Sequence, residues 1–325
     1  MSLKSTVPDK NHALEHVTAK KLTKTYSVIV CYRPDLQQLQ RLCKELIVGG
    51  SKVVLIDNTK EPYLENHMLP ANCQLITLGH NSGIAHAQNI GVDAIIKAGG
   101  EVIAFFDQDS QIETKMFKLL ISELNLGKSD IVSPRCLDNL NHIELPALVV
   151  NRYGIARPKY SLNSTHPYQV DIIISSGTVA TKEVFQVSRN FDEDLFIDYV
   201  DTEWCLRCRK KDIPIRVVPS AIMYHRIGKN TIKIGPLTVQ VHSPERCYYQ
   251  IRNCFHLFRK CHIPFLFAAK EVLSIYINRM LLLFLVESPI LYVKTYLHAT
   301  IDGLLGVVGA KAGQAEANKK KSSSN

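Results

Sequence analysis

The sequence predicts an α/β protein built on a doubly wound, largely parallel sheet. Short apolar runs rich in β-branched residues alternate with stretches of helical period over the first 110 residues. The connections between them are short, which favours neighbouring strands that run parallel. With 325 residues, of which 46% are hydrophobic and 21% charged, the chain can bury a large core.

The first half of the sheet can be followed strand by strand. Four apolar runs predict strands at residues 27–32, 53–56, 75–78 and 102–106. After the first strand, Pro34 suits the opening turn of a helix whose leucines recur at helical spacing until Gly49 and Gly50 end it. A second helix, over residues 84–98, leads into the fourth strand.

Polar side chains follow the end of each of these four strands. They are Tyr32, Arg33, Asp57, Asn81, Asp107 and Asp109. Because ligands bind outside the carboxyl ends of parallel strands, we expect these side chains to form one site. Asp107 and Asp109, one residue apart, would offer hard oxygen ligands suited to Mg²⁺ or Mn²⁺. An ordinary turn and helix cap would explain the same pair without a metal.

The loop from Asn81 to Gly83 precedes a helix whose free N–H groups could approach an anion, although a plain turn and N-cap would look the same. Neither a P-loop nor a GxGxxG fingerprint is present. A P-loop nucleoside triphosphatase and an ordinary dinucleotide oxidoreductase therefore lose support.

A second acidic segment covers residues 191–204, where six of fourteen residues are acids interleaved with aromatic side chains. Its acids include Asp198, Asp201 and Glu203, which precede Trp204, the only tryptophan. Carboxylates favour the first turn of a helix, so a solvated helix start is one explanation. A sugar-binding site, with Trp204 stacking on the sugar, is the interpretation that we favour. Downstream, His225 follows a strand and is a candidate phosphate or metal contact.

Beyond residue 245 the chain becomes basic, aromatic and largely helical. Charged residues interrupt its apolar stretches, so no run approaches the roughly 20 residues that span a bilayer. Amphipathic helices that lie on a membrane fit best; packing against the core or another subunit is the alternative. We expect a flexible leader at residues 1–24, a helical region at 246–310 and a disordered basic tail at 311–325.

The overall charge and the cysteines bear on partners and compartment. A formal net charge of +9 predicts an acidic partner: nucleic acid, a phosphate-rich small molecule or an anionic membrane. Nine scattered cysteines and the lack of an apolar secretory signal predict a reduced, cytoplasmic protein.

In order along the chain, these motifs resemble the inverting nucleotide-sugar glycosyltransferases of family two. The likeness covers residues 26–253 and includes a helix-opening motif from Asn81 to Gly91. Within that family the chain looks most like bacterial rhamnosyltransferases, because residues 106–110, 175–177 and 198–204 are similar to their versions of each motif. The resemblance implies a GT-A fold over residues 25–245 and a divalent cation, Mg²⁺ or Mn²⁺.

The resemblance also implies roles for individual residues. The donor nucleotide would be bound by Tyr32, Arg33, Asp57, Asn81, Gly83, Gln88, Asp107 and Asp109. Asp109 would ligate the metal with help from Asp107 and His225. Asp201 falls where the family places its catalytic base, but Val200 replaces the usual acid before it, which leaves Asp198 and Glu203 as rivals. Trp204, Ser176 and Gly177 are assigned to the acceptor.

The resulting hypothesis is transfer of L-rhamnose from dTDP-L-rhamnose to a lipid-linked saccharide in surface polysaccharide synthesis. We expect it at the inner face of the cell membrane, with no nucleic-acid partner and with the C-terminal helices available for homo-oligomerisation. A UDP- or GDP-sugar donor is the nearest alternative. Two alternatives belong to other classes of protein. One is a phosphohydrolase with Asp107 as its nucleophile, and the other is a non-catalytic protein that binds nucleic acid or a membrane.

Overall fold

The computed structural model describes residues 22, 24–138, 143–161, 164–225, 231–234 and 237–311, with the backbone alone for residues 225, 231–234 and 237–240. The strands are β1 (Thr25–Cys31), β2 (Lys52–Asp57), β3 (Cys73–Thr77), β4 (Val102–Asp107), β5 (Ile131–Asp138), β6 (Glu144–Leu145), β7 (Ala147–Val150), β8 (Ala156–Lys159), β9 (Tyr168–Val170), β10 (Val179–Thr181), β11 (Ile215–His225), β12 (Thr231–Ile234) and β13 (Leu237–Gln240). The helices are α1 (Leu36–Val48), α2 (Ile84–Lys97), α3 (Thr114–Asn125), α4 (Lys182–Ser188), α5 (Val200–Lys210), α6 (Pro244–Leu257), α7 (Phe265–Leu283) and α8 (Pro289–Leu305), with short 3₁₀ turns at Asn66–Met68 and Glu193–Leu195.

The main sheet has the strand order β3-β2-β1-β4-β10-β5-β11-β9, with β6 paired to β5. Strands β1 to β4 are parallel to one another, as the sequence predicted. Strand β10 enters antiparallel between β4 and β5, and β11 runs parallel to β5. The sheet is therefore mixed, and its parallel half brings the carboxyl ends of β1, β2 and β4 to one edge.

Both faces of the sheet are covered, because alternate residues of each strand point to opposite sides. On β1, Val28 packs with α2 in one core, whereas Ile29 packs with α1 and α3 in the other. The approach of α2 is close: a Cβ added to Gly91 would lie 2.6 Å from a methyl carbon of Val28. Glycine at this position lets α2 lie flat on the sheet.

The apolar run at residues 170–174 has the composition of a strand, but most of it does not form one. Only Tyr168–Val170 forms a strand, at the edge of the sheet, and Val179–Thr181 forms another in its centre. Between them the chain turns at Gly177, whose φ of 81° is in the left-handed region. Between residues 138 and 170, strands β7 and β8 pair as a small antiparallel hairpin.

The last three helices form a separate layer. Helices α7 and α8 pack on α6 around a third apolar cluster that includes Tyr248, Ile275 and Tyr296. Within the described residues, no helix combines the length and the apolar character required to cross a membrane. The N-terminal turn of α6 reaches the carboxyl edge of the sheet, so this layer contributes directly to the site described next.

Candidate active site

An open cleft of about 790 Å³ lies at the carboxyl edge of the sheet. Nine of the side chains predicted from the sequence line it: Tyr32, Asn81, Gly83, Gln88, Asp107, Asp109, Ser176, Asp198 and Asp201. The two acidic segments, separated by about 90 residues in sequence, thus open into the same space. A cleft that joins two carboxylate groups can bind a cation on one side and activate a hydroxyl group on the other.

The acidic end of β4 is held by its neighbours. The Asp107 backbone amide donates to the Ser176 hydroxyl at 3.2 Å, and that hydroxyl lies 2.7 Å from the hydroxyl of Ser110. The Gln108 side chain bonds both the backbone N–H and the carbonyl of Tyr32, at 2.7 and 3.1 Å. The residue between the two carboxylates is therefore used to fix the loop after β1. Ser176 supports β4, which gives its hydroxyl a structural use besides the acceptor contact predicted for it.

The donor set at Asp107 and Asp109 suits a hard divalent cation. Among the described residues, no group of three His, Cys, Asp or Glu side chains converges as a complete metal cage. Two carboxylates in an open cleft fit Mg²⁺ or Mn²⁺ nevertheless, because such ions take their other ligands from substrate phosphates and water. His225 ends β11 in register with Asp138, and its side chain lies outside the described residues, so its predicted role stays a prediction.

Asp57, at the end of β2, is fully buried and does not itself line the cleft, whereas the next residue, Asn58, does. Its Oδ1 accepts a hydrogen bond from the Thr59 amide at 3.0 Å, whereas Oδ2 has no partner among the described residues. A buried carboxylate oxygen without a donor is costly, by about 1–3 kcal/mol or more. A ligand N–H group that reached Oδ2 would remove this cost. Arg33 does not line the cleft; its amide donates to Thr59, and its φ is 49°.

Asn58 ties the end of β2 to the loop before α2. Its Oδ1 accepts from the Ser82 amide at 2.7 Å, and its Nδ2 donates to Asn81 and to the Gly83 carbonyl. The first amide of α2, that of Ile84, donates to the carbonyl oxygen of Phe196 at 2.7 Å. We expected the free N–H groups at the start of α2 to approach an anion. This expectation is partly wrong, because the N–H group of Ile84 already donates to the acidic segment.

Gly83 is required by that contact. Its φ is 86°, and a Cβ added to it would lie 2.6 Å from both the ring and the carbonyl oxygen of Phe196. Phe196 itself has a φ of 63°, as do Asp198 and Tyr199 within a degree. Three side-chain-bearing residues in the left-handed region mark a loop whose conformation the surrounding structure imposes.

Helix α6 imposes it. The Asn253 amide donates to the carbonyl oxygens of Leu195, Ile197 and Asp198 at 2.7, 2.7 and 3.2 Å. The neighbouring Arg252, fully buried, donates to the carbonyls of residues 194 and 195. These bonds fix the segment that leads to Asp201, the first acid of α5.

Asp201 has the environment of a general base. Its Oδ1 accepts from the Thr202 amide at 2.8 Å. Burial raises its pKa to about 6; backbone N–H groups of Thr202 and Ser175 act against this rise, and the charges of Asp198 and Asp107 add to it. A carboxylate with such a pKa is ionised at neutral pH and accepts a proton more readily than an ordinary aspartate.

The two rivals of Asp201 have other partners. Glu203 is buried between Arg207 and His262, with Oε2 at 2.6 Å from Arg207 and Oε1 at 2.8 Å from His262. Burial alone would raise the pKa of Glu203, but the bonds and charges of His262 and Arg207 lower it on balance. Glu203 does not line the cleft, so its candidacy as the base is wrong. Asp198 does line the cleft, where it pairs with Arg246.

Two predicted acceptor contacts are wrong for reasons of packing. Trp204 is 2% exposed, its ring stacks on Phe185, and its Nε1 donates to the Ser188 hydroxyl. It is a core residue and has no face to offer a sugar. Gly177 does not line the cleft either: a Cβ there would lie 2.6 Å from Pro134, so this glycine serves the close packing of the turn.

Sequence reasoning missed the side chains that the start of α6 adds to the cleft. They are His242, Ser243, Glu245, Arg246 and Tyr249. Tyr249 stacks on Phe196 with ring centroids 4.7 Å apart. The Ser-Pro-Glu sequence at residues 243–245 is a helix-start signal, but nothing local shows that this helix points into the site. The predicted boundary after residue 245 crosses this cleft-lining turn.

The fold has counterparts among solved structures. A crystal structure of GalNAc-T7 with UDP, GalNAc and Mn²⁺ superimposes with a TM-score of 0.52 at 14% identity, over 72% of this chain and 48% of that one. The chain thus spans about half of that protein, and the likeness concerns the fold. The sheet, with acidic strand ends opening into one cleft, is thus of the GT-A fold class.

Sequence comparisons narrow the class to a family. The model of Glycosyl transferase family 2 matches residues 27–186. The dTDP-rhamnosyl transferase RfbF of Shigella flexneri is 38% identical over 285 residues, which are 87% of this chain and 96% of that protein. The chain belongs to glycosyl transferase family 2.

Proposed function

We propose that this enzyme transfers L-rhamnose from dTDP-L-rhamnose to a hydroxyl group of a saccharide acceptor, with inversion at the anomeric carbon. The observation that carries the proposal is the shared cleft of Asp107, Asp109 and Asp201. The donor is inferred from the 38% identity to a dTDP-rhamnosyl transferase along nearly its whole length. The alternative is another nucleotide-sugar donor in the same cleft, such as a UDP- or GDP-sugar.

The nucleotide would lie along the ends of β1 and β2. A thymine or uracil ring carries an N3–H donor, and Asp57 Oδ2 is a buried acceptor that has no partner among the described side chains and amides. Asn81, Gln88 and Tyr32 line the neighbouring wall. Binding there would satisfy the Asp57 carboxylate and orient the diphosphate toward β4.

Asp107 and Asp109 would hold the cation, Mg²⁺ or Mn²⁺. When bound, such an ion stabilises the negative charge that builds up on a departing diphosphate. A nucleoside diphosphate needs no protonating acid when its charge is neutralised in this way. The side of the cleft around β4 therefore serves the leaving group.

Asp201 would act on the acceptor. A sugar hydroxyl is a poor nucleophile until a base removes its proton as attack proceeds, an effect worth about 10²–10⁴-fold in rate. Since the base and the metal-binding carboxylates open into the same cleft from different segments, a sugar ring between them would be attacked opposite its leaving group. This in-line geometry gives the inverted product.

The acceptor is proposed to be a lipid-linked saccharide, with the enzyme lying on the inner face of the cell membrane. The outer sides of α7 and α8 support this location, because they expose apolar side chains such as Leu273, Phe284, Ile290 and Leu297 at 59% or more. We assign the core of the catalytic unit to residues 25–245, which the start of α6 completes, and membrane association to α7 and α8. The same surface would also suit a homodimer.

The decisive experiment is a donor panel. The purified protein is incubated with dTDP-, UDP- and GDP-sugars, a saccharide acceptor and Mg²⁺ or Mn²⁺, and released nucleotide is measured. Turnover of dTDP-L-rhamnose with inverted product supports the proposal. Turnover of a UDP- or GDP-sugar in its place would overturn the donor assignment.

A further inference from the structure

The charges of the cleft are strongly unbalanced. Among its described lining residues, five carry carboxylates: Asp107, Asp109, Asp198, Asp201 and Glu245. Arg246 is the one permanently positive side chain in that set. A ligand with negative phosphates would be repelled by such a cleft, and a single divalent cation would offset only part of the excess. Arg246 is thus placed where a further positive charge is needed.

The guanidinium of Arg246 is held by the carboxylate of Asp198, which lies in the loop at residues 195–199 that leads to Asp201. Its Nε and Nη2 lie 3.2 and 3.0 Å from the two oxygens of Asp198, a bidentate arrangement. The Arg246 side chain remains 48% exposed, whereas that of Asp198 is 15% exposed. The pair thus has a fixed, half-buried acid and an arginine that borders the open cleft.

A planar guanidinium binds phosphate in the same bidentate manner as it binds carboxylate. A nucleoside diphosphate bound at Asp107 and Asp109 through a cation would bring phosphate oxygens into the same cleft as Arg246. Burial would lower the pKa of Arg246, but the Asp198 carboxylate, with a smaller contribution from the charge of Asp107, raises it on balance. The half-exposed guanidinium could then exchange one anionic partner for another.

We propose that Arg246 binds the diphosphate of the donor, and that Asp198 is its counter-ion while the cleft is empty. The guanidinium moves from Asp198 to the phosphate oxygens when the nucleotide binds, and returns when the nucleotide leaves. This inference rests on the proposed function in that the ligand is a nucleoside diphosphate. It does not depend on the identity of the base or the sugar.

Substitutions of Arg246 and of Asp198 should then have opposite effects on nucleotide affinity. An ion pair with a purely structural role would not show this difference. Removing Arg246 removes a ligand contact, whereas neutralising Asp198 frees Arg246 for the ligand. We expect Arg246→Gln to weaken dTDP binding about 10- to 100-fold, the usual range for losing a charge-assisted hydrogen bond. Arg246→Lys keeps the positive charge but cannot make the bidentate hydrogen bonds of a guanidinium, so it should lose less affinity. Asp198→Asn should bind dTDP as tightly as the unchanged protein, or more tightly.

The test is calorimetric titration of the full chain with dTDP, UDP and dTMP in the presence of Mg²⁺. Arg152→Gln is the matched control, because Arg152 is an exposed arginine that contacts Tyr153 in the turn after β7. Arg246→Gln should lose affinity for the diphosphates and much less for dTMP, with an unchanged melting temperature. Tighter binding of UDP than of dTDP would count against the dTDP assignment and leave the Arg246 comparison valid.

Two results would overturn the inference. One is unchanged diphosphate affinity in Arg246→Gln. The other is an equal loss of affinity in Arg246→Gln and Asp198→Asn together with a lower melting temperature in both, which would make the pair a structural clamp of the loop.

Discussion

The side-chain amide nitrogen of Asn253 lies 2.7 Å from the carbonyl oxygen of Leu195, fifty-eight residues away in sequence. Through this bond and two others, helix α6 holds the left-handed loop that ends at the proposed base. The C-terminal layer thus fixes the loop that leads to Asp201.

Replacing Asn253 by Ala should release this loop. The carbonyls of Ile197 and Asp198 would lose this donor and buried Arg252 would lose the Asn253 oxygen, at a cost of about 1 kcal/mol each. The Leu195 carbonyl would keep Arg252 as a donor. We expect the free energy of unfolding to fall by about 2–3 kcal/mol and kcat to fall with it, measured by urea unfolding and steady-state assay. Asn278→Ala is the control, because the Asn278 side chain bonds Ser274 on its own helix and no other residue in the described part of the chain. Equal stability of the two variants would contradict the role given to Asn253.

Gly83→Ala tests the contact between the loop before α2 and the loop at residues 195–199. The new Cβ would lie 2.6 Å from the Phe196 carbonyl oxygen at a φ of 86°, so backbone must shift. The control is Gly79→Ala, which has a φ of 70° but nothing within 4 Å of the added carbon. Gly79→Ala should lose about 1 kcal/mol from conformational strain alone. Gly83→Ala should lose more stability and most activity, as thermal unfolding and nucleotide release would report.

Much of the fold follows from local sequence patterns. The four parallel strands were predicted correctly because each is a short apolar run with a helix or turn signal beside it. Asp107 and Asp109 lie in the predicted cleft because the carboxyl ends of parallel strands share an edge. Asp201, in the first turn of α5, lines the same cleft. Their chemical roles stay predictions.

The predictions that failed concern features set by contacts between residues distant in sequence. The insertion of β10 between β4 and β5 requires the turn at Gly177, which no periodicity shows. Trp204 beside acids suggested a sugar platform, but its ring completes an aromatic cluster with Phe185 and Phe191. Arg246 was missed because only the docking of α6 turns it toward the cleft.

Asp201→Asn should reduce transfer by at least about 10²–10⁴-fold, because the amide cannot accept the proton of the acceptor. Nucleotide affinity, measured by calorimetry, should stay unchanged. The control is Asp212→Asn, an exposed acid in the turn after α5 with a φ of 56°. Retained turnover in Asp201→Asn would move the base to another residue.

The raised pKa of Asp201 gives that variant a second signature. Burial holds the folded pKa at about 6, above the ordinary 3.8, so the folded state binds this proton more tightly than the unfolded state. The contribution is complete below the unfolded pKa and is lost as pH rises toward 6. Unfolding of Asp201→Asn should therefore lack one component of the pH dependence between about 4 and 6. Activity of the unchanged enzyme should fall as pH drops through about 6.

Removal of divalent cations should abolish transfer, and Mg²⁺ or Mn²⁺ should restore it. The rise in melting temperature caused by dTDP should require the cation as well, because the ion would link the diphosphate to Asp107 and Asp109. Asp109→Ala should lose this metal-dependent shift, whereas Asp93→Asn, an exposed acid on α2, should keep it. A dTDP-induced shift of equal size in chelator would contradict a metal site at these carboxylates.

The outer face of α7 and α8 provides the last prediction. Ile277, Met280 and Leu297 are more than half exposed there, while Glu271 and Arg279 of the same layer bond to Tyr199 and Gln250 within the protein. Aspartates at positions 277 and 297 should remove the apolar contact with a bilayer while leaving the core intact. We expect the double variant to lose binding to vesicles of anionic lipid and to keep transfer to a soluble acceptor.

Leu126→Asp is the matched control for that variant, since Leu126 is an equally exposed apolar residue at the end of α3. It should float with vesicles as the unchanged protein does. Light scattering on the same samples distinguishes the alternative partner. If the face pairs two copies of the chain, the double variant will change from dimer to monomer, and neither protein will bind vesicles. In that case the partner of this apolar face would be a second subunit and not the membrane, because both cannot cover the same face at once.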